Sequence, residues 1–495
     1  MSTGTANSVR MTPWLDASPL KVLCGVVFVL TIALMVELRA LPALHLWTVC
    51  LLIASAGFLL IGKKGKRDLL HPIRVFGSLW CFCLALGSMQ LLSIISDWDF
   101  FMWSCVLTGL ATFIGGFWFG NKIFGQRNIH SEGIVEEVLS KPSLLSERKA
   151  LWIGALCILV GVVVLGYEDF LIGGIPLLSG DPDSLRMELF GGAAANPQFN
   201  SLFIKIIHVF VEFVKYGAFL AFVVLFQDGA KSKKVKFASV CIIVVGTLAY
   251  FSQAGRTFFV MIAITGVVLF HYLRRPIRIA EIGAAVTLLF LFVGLFGSAR
   301  VKQSQTAPLF NQALSQSRFP EGNFWDGVAF GYATTTISFE VFYRLTVDFR
   351  TMARAPGGFL FYSLHRFIPR SNLGEVANDL YSGESTTSTF LGDFYGDYGY
   401  WGVFFGPLVT GFLYGWAYSK GRRQRSLYWV YVRAMLIQVL IFFPYVNLFS
   451  LYLTWIFDLF FMYWLIRLTV CDPAKPEALA APGFFLSHDP QYGAE

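Results

Sequence analysis

The chain has 495 residues, of which 56% are hydrophobic, 17% aromatic and only 14% charged, and its net charge is +8. Soluble domains carry about a quarter charged residues, so this composition excludes an ordinary water-soluble fold. The positive excess does not argue for nucleic acid as a partner, because the basic residues punctuate apolar blocks, as topology signals do.

In chain order the apolar blocks predict twelve spans, at about 21–38, 42–62, 75–95, 100–120, 150–166, 202–226, 237–252, 257–273, 279–297, 401–418, 427–446 and 450–468. Each approaches the roughly 20 residues that cross a bilayer as a helix. The first block is long, lacks a small-residue cleavage site and runs straight into the second, so it is expected to remain as a span. With residues 1–20 in the cytoplasm, the short basic clusters all fall on the inner side. They are Lys63–Arg74, Lys122–Lys149, Lys231–Lys236, Arg274–Arg278 and Lys420–Arg425.

The expected fold class is therefore an all-α polytopic membrane protein of about 12 transmembrane helices. Spans one to five occupy 21–166, six to nine 201–297 and ten to twelve 401–468, with a cytoplasmic tail at 469–495. Two long loops, 167–200 and 298–400, face outward. The second contains a moderately apolar stretch, 324–345, expected as an amphipathic or re-entrant helix at the membrane surface. Seven of the eight cysteines lie inside apolar blocks, so neither a disulfide framework nor a thiolate metal site is expected.

Arginine is the informative residue outside. The positive-inside rule should deplete it there, yet Arg186, Arg256, Arg300, Arg318, Arg344, Arg350, Arg354, Arg366 and Arg370 all map to the outer face. Guanidinium groups bind phosphates bidentately and stay charged in dry surroundings, which suits a lipid diphosphate. Pairing with loop acids such as Asp181, Asp183, Glu321, Asp326, Asp348 and Glu375 would also account for them.

The sixth span carries Lys205, His208, Glu212 and Lys215 at spacings of 3, 4 and 3, which puts them on one helix face. That stripe reads either as the wall of an outward-opening cavity or as a self-neutralising ladder that fixes packing. Arg433 and Asp458, on the last two spans, read as an internal ion pair. At the mouth of the tenth span, Asp393 and Asp397 stand four apart among aromatics and glycines. They offer carboxylates to accept or orient the proton of an attacking hydroxyl, with rings for sugar stacking. An interfacial aromatic belt would explain the rings and glycines but not both acids. No phosphate-binding loop, dinucleotide fingerprint, zinc motif or serine elbow is present. The outer loops hold one histidine, His365, so no histidine metal cluster is expected.

At these residues the chain resembles the Wzy-type oligosaccharide repeat-unit polymerases. The resemblance rests on Gly173-Gly174-Ile175-Pro176-Leu177-Leu178-Ser179-Gly180 with Asp181, Asp183 and Arg186, and on Gly255-Arg256-Thr257. Ile368-Pro369-Arg370 and the segment 389–402 running into Gly406, Gly411 and Gly415 complete it. It spans roughly residues 150–420 and implies a GT-C-like bundle in the cell inner membrane whose two periplasmic loops cover the active site. The implied activity moves a growing glycan from undecaprenyl diphosphate onto the next lipid-linked repeat unit, building O-antigen lipopolysaccharide, capsule or exopolysaccharide. Arg186 and Arg256, and more loosely Arg300 and Arg366, then match the diphosphate-holding arginines. Arg370, His365, Lys205, His208 and Glu212 join them as substrate-binding candidates, with Asp393 and Asp397 as the catalytic ones. No cofactor or metal is implied, because arginines would neutralise the leaving group. Expected partners are the undecaprenyl-diphosphate-linked repeat units and the bilayer, with a flippase and a chain-length regulator as further candidates. An O-antigen ligase uses the same donor with another acceptor, and a transporter or flippase would use the charged sixth span as a path. The first-loop and 389–402 motifs tilt the reading to the polymerase.

Overall fold

The computed structural model describes residues 44–60, 68–125, 145–180, 182, 185, 202–227, 231–253, 256–303, 317–348, 388–424, 426–446 and 452–470. Among the described residues there is no strand, only isolated bridges at Leu92–Ser317 and Leu145–Val470. The first half of the helices comprises α1 (Leu44–Leu60), α2 (Pro72–Ser88), α3 (Phe100–Gly125), α4 (Glu147–Leu171), α5 (Leu202–His208), α6 (Phe213–Phe226) and α7 (Lys233–Ser252). The rest are α8 (Arg256–Leu269), α9 (Ile279–Gln303), α10 (Asn323–Asp348), α11 (Phe390–Arg423), α12 (Leu427–Phe442) and α13 (Tyr452–Thr469).

Among the described residues, six helices are long and apolar enough to cross a membrane: Phe100–Gly125, Glu147–Leu171, Ile206–Phe226, Lys233–Ser252, Thr257–Arg274 and Ile279–Arg300. Shorter apolar helices lie at Leu46–Leu60, Pro72–Ser88 and Leu427–Phe442. Their outward faces are apolar. On α4, Trp152, Leu156, Leu159 and Val163 are exposed, and on α7 so are Phe237, Val240, Val244 and Leu248. Such spacing makes continuous apolar stripes, which a water-soluble monomer does not present. The chain is an all-helical, membrane-embedded protein. The expected first span, 21–38, lies outside the described residues.

The closest helix pair is α3 with α11, which run in the same direction. A Cβ at Gly116 would overlap the Leu408 carbonyl oxygen, and one at Gly120 that of Phe412. Gly411 and Gly415 meet the carbonyls of Phe113 and Phe117 in the same way. Lipid tails are as apolar as leucine, so helices in a bilayer associate through close packing, and glycines four apart permit it. Around this seam the aromatic core assembles: Phe76, Trp80, Phe113, Phe390, Tyr414 and Phe443 are all buried. The Phe390 and Phe443 rings stack at 4.3 Å.

Two expectations need correction. The 324–345 stretch is helical, as α10, but it packs into the bundle instead of lying on it. Phe339, Glu340 and Phe342 are buried, and Phe339 meets Trp80 with ring centroids 5.0 Å apart. Its polar residues lowered its apolar signal, yet they bond inward. Glu340 accepts from Ser96 N–H (3.0 Å), Ser96 Oγ (2.7 Å) and Trp98 Nε1 (3.1 Å), while Tyr332 donates to the Leu86 carbonyl at 2.7 Å. The third block also ends early: α2 stops at Ser88, and Gln90 takes a left-handed φ of 49°.

Replacing Gly411 or Gly116 by alanine should destabilise the protein by about 1–3 kcal/mol, the usual cost of overpacking. Alanine at Gly57 or Gly166, where a Cβ meets open space, should be neutral or slightly stabilising. Thermal unfolding in detergent checks the contrast, and equal effects at all four positions would remove the seam from the account.

Candidate functional site

The acidic pair of the 389–402 segment sits on a helix that breaks. Within α11, Gly399 has φ 60° and ψ −143°, a region that only glycine visits freely. The break separates residues 390–398 from the rest of α11 and folds them back, so that the Phe394 ring covers Gly406. Asp393 and Asp397 share a face of that short first part. Asp393 is half-buried and Asp397 is 1% exposed. Tyr395 donates to the Thr346 carbonyl at 3.3 Å, fixing this part to α10, and the Phe390 N–H donates to the Phe443 carbonyl at 2.9 Å. Thr389, which starts the helix, is buried and its hydroxyl has no hydrogen-bond partner.

The charged stripe of the sixth span divides in two. A turn of 3₁₀ helix, Val209–Glu212, interrupts the segment between α5 and α6. On the α6 side, Lys215 Nζ lies 2.7 Å from Glu212 Oε2 and 2.6 Å from Asp458 Oδ2, and Tyr216 donates to Asp458 Oδ1. Lys215, Tyr216 and Asp458 are buried, Glu212 is half-buried, and all four are mutually satisfied, so they clamp α6 to α13 and read as structure. This corrects the expected Arg433–Asp458 pair. Arg433 lies instead over the rings of Tyr272 (5.1 Å) and Tyr418 (5.7 Å).

On the α5 side, His208 Nδ1 lies 2.7 Å from Glu168 Oε1. Glu168 belongs to α4 and is 1% exposed, whereas the His208 side chain is 37% exposed. The adjoining Asp169 accepts from Gln253 Nε2 at 2.9 Å. Gln253 precedes Arg256, the first residue of α8, by three positions. Sequence reasoning missed Glu168, Asp169 and Gln253. The available signal was two adjacent acids at the end of an apolar block, which ionisable residues rarely enter without function.

Of the other expected site residues, Arg300 is half-buried in the last turn of α9. Arg186, His365, Arg366 and Arg370 lie outside the described residues, as do the side chains of Arg256 and Lys205. Arg344 pairs with Glu340 (2.9 Å), an acid of its own helix, not one of the loop acids. Its guanidinium also donates to the Ile94 carbonyl at 3.3 Å.

A separate network closes the opposite ends of the helices. Asp68 accepts from His271 Nε2 (3.2 Å), Tyr272 OH (3.3 Å), Tyr418 OH (3.2 Å) and Leu70 N–H (3.0 Å). Burial alone would raise this carboxyl, but the His271 bond and the neighbouring histidines outweigh it and hold it below the usual range. Burial holds His71 down to about 4, with Arg74 and Arg422 adding to the effect and Asp68 opposing it.

Compared with protein-family models, characterised proteins and solved structures, the chain matches none. The class that fold and composition define is a polytopic, all-helical membrane protein.

Two measurements test this account. Asp458→Ala or Lys215→Met should each cost about 3–5 kcal/mol by stranding a buried charge, and the double variant should cost far less than their sum. Arg433→Ala should add independently to Asp458→Ala, and strong coupling between them would restore the expected pair. Second, His71 is neutral when folded and charges near 6.5 when unfolded, so stability should fall as pH drops from about 6.5 towards 4. His71→Phe should flatten that slope in melting temperature against pH, and an unchanged slope would acquit His71.

Proposed function

We propose that this chain is a glycan polymerase of the cell inner membrane, joining undecaprenyl-diphosphate-linked repeat units into a surface polysaccharide on the periplasmic face. In this reading twelve spans place both termini in the cytoplasm, and the bundle is GT-C-like. The observation that carries it is the break at Gly399, which turns two carboxylates out of line with the spanning part of α11. A helix that only crossed the bilayer has no use for such a break, and the acids lie in the segment on which the resemblance rests.

The reaction balances with these groups. A hydroxyl oxygen of the acceptor sugar attacks the anomeric carbon of the donor glycan, and the bond to the diphosphate breaks. Undecaprenyl diphosphate leaves with the electron pair, and the hydroxyl proton passes to a carboxylate, Asp393 or Asp397. Positive charge from Arg186, Arg256 and Arg300, with Arg366 and Arg370, offsets the charge that develops on the diphosphate. Arg344, held by Glu340, is a structural residue in this scheme.

Purified protein in nanodiscs should extend lipid-linked repeat units without added divalent metal. Asp393→Asn or Asp397→Asn should slow turnover at least about a hundredfold, the scale of general-base assistance. Arg256→Ala should abolish polymer and Arg256→Lys restore only part, since a point charge lacks the bidentate fork. Near-normal rates in both asparagine variants would overturn the carboxylate assignment.

A further inference from the structure

The end of the bundle that holds Asp68 carries more positive charge than this one carboxylate answers. Asp68 is fully engaged: Oδ1 accepts from His271 Nε2 and Leu70 N–H, and Oδ2 from Tyr272 OH and Tyr418 OH. Three guanidinium groups stand around the same segments. Arg74 is buried and donates to the Asp68 carbonyl oxygen at 3.0 Å. Arg433 lies over the faces of Tyr272 and Tyr418, and Arg422 is exposed in the last turn of α11. Neither the Arg422 nor the Arg433 side chain has a hydrogen bond or a carboxylate partner among the described residues. Burial holds the nearby His71 imidazole down, Asp68 opposes this, and Arg74 and Arg422 add to it.

The Arg433 guanidinium is seated but not satisfied. Gly421 makes room for it, since a Cβ there would come 2.8 Å from Nε and 3.3 Å from Nη2. The last carbonyls of α11 and the faces of two tyrosines attract a cation. They hold the charge in position, yet Nε is buried and has no acceptor. A donor on a charged group that lacks its acceptor is costly, so the place calls for an anion. It is open to one: Arg433 is only half-buried, and Arg422 and the adjoining Lys420 are exposed. A planar fork beside a second arginine suits two oxygens of a phosphate. Basic pockets between helices at a membrane surface take phosphates of this kind from lipid headgroups.

We propose that Arg433 and Arg422, at the end of α11 and beside Tyr272, form a binding site for a phosphate oxyanion such as an anionic phospholipid headgroup carries. The site is separate from the glycan-polymerase reading and does not rest on it. A bound phosphate bridges α11, which carries Arg422, to α12, which carries Arg433, next to the clamp that Asp68 makes.

The experiment uses the full chain in a neutral detergent and three probes: short-chain phosphatidylglycerol, short-chain phosphatidylcholine and inorganic phosphate. Wild-type protein should bind phosphatidylglycerol at least about tenfold more tightly than phosphatidylcholine, whose ammonium cancels the phosphate charge. Arg433→Gln should weaken phosphatidylglycerol binding about tenfold or more, the worth of a charge-assisted hydrogen bond. Arg433→Lys should recover only part of that loss, because a point charge lacks the fork. Arg422→Gln should weaken binding by less, since an exposed charge is screened. Arg278→Gln, an exposed arginine just before α9, should change nothing. Competition by inorganic phosphate would support the site as one for soluble phosphate groups as well, and failure to compete would support it as a lipid site. Should Arg433→Gln fail to fold, Arg433→Lys and Arg422→Gln carry the test. Equal affinity for the two lipids, or an equal loss in Arg278→Gln, would reduce the binding to general surface charge and overturn the proposal. Unchanged affinity in every folded variant of Arg422 and Arg433 would overturn it too.

Discussion

The backbone contact between α3 and α11 is the constraint on which the rest of the structure depends. Because the two helices run parallel and touch through Gly116, Gly120, Gly411 and Gly415, their register is set to within one residue. Any slip would drive a side chain into a carbonyl. With that register set, the rings of Phe76, Phe113, Tyr414 and Phe443 close around the seam, and Phe390 seats on Phe443. The Gly399 break follows from the same geometry. Residues 390–398 cannot continue along α3 and also reach α10 and the end of α12, so the chain turns at Gly399, which as a glycine tolerates the necessary φ.

Buried polar groups supply what apolar packing in lipid lacks, which is specificity of partner. Lys215 and Asp458 tie α6 to α13, Glu340 ties α10 to residues 96–98, and Asp68 joins the start of α2 to residues 271–272 and to α11. A buried ion pair adds little net stability, but leaving it half-made is expensive, so each clamp penalises the wrong neighbour more than it rewards the right one. In these three clamps the accounts balance within the described residues. At Glu168 and Gln253 they do not.

Legibility in the sequence followed the range of the interaction. Helices occupy the second to twelfth apolar blocks because hydropathy is a local property. The stripe at 205, 208, 212 and 215 was visible because helical periodicity is local too. Its meaning was not, since the partners that divide it, Glu168 and Asp458, lie 40 and 243 residues away from His208 and Lys215. Arg433 and Asp458 read as a pair because both are charged residues on the last two spans, yet Arg433 lies over tyrosines from two other segments. The α10 segment looked like a surface helix because Thr336, Ser338 and Glu340 diluted it, and only the fold reveals that those groups point inward. Asp393 and Asp397 were legible as a pair, whereas the break beside them was hidden in a run of glycines of which only one needs its freedom.

In the proposed glycan-polymerase reading, unlike chemistries sit on separate helices. A lipid-linked sugar is a neutral polyol joined to a dianion, and one set of side chains cannot serve both ends: acceptors that welcome hydroxyls repel phosphate, and guanidinium groups that hold phosphate offer hydroxyls no acceptor. Helix α4 carries acceptors, is rigidly backed by α6 where Gly154 and Gly217 meet, and presents no basic side chain near Glu168 among the described residues. The candidate arginines among the described helices lie elsewhere, at the start of α8 and the end of α9. Gln253, bound to Asp169, lies three residues before Arg256.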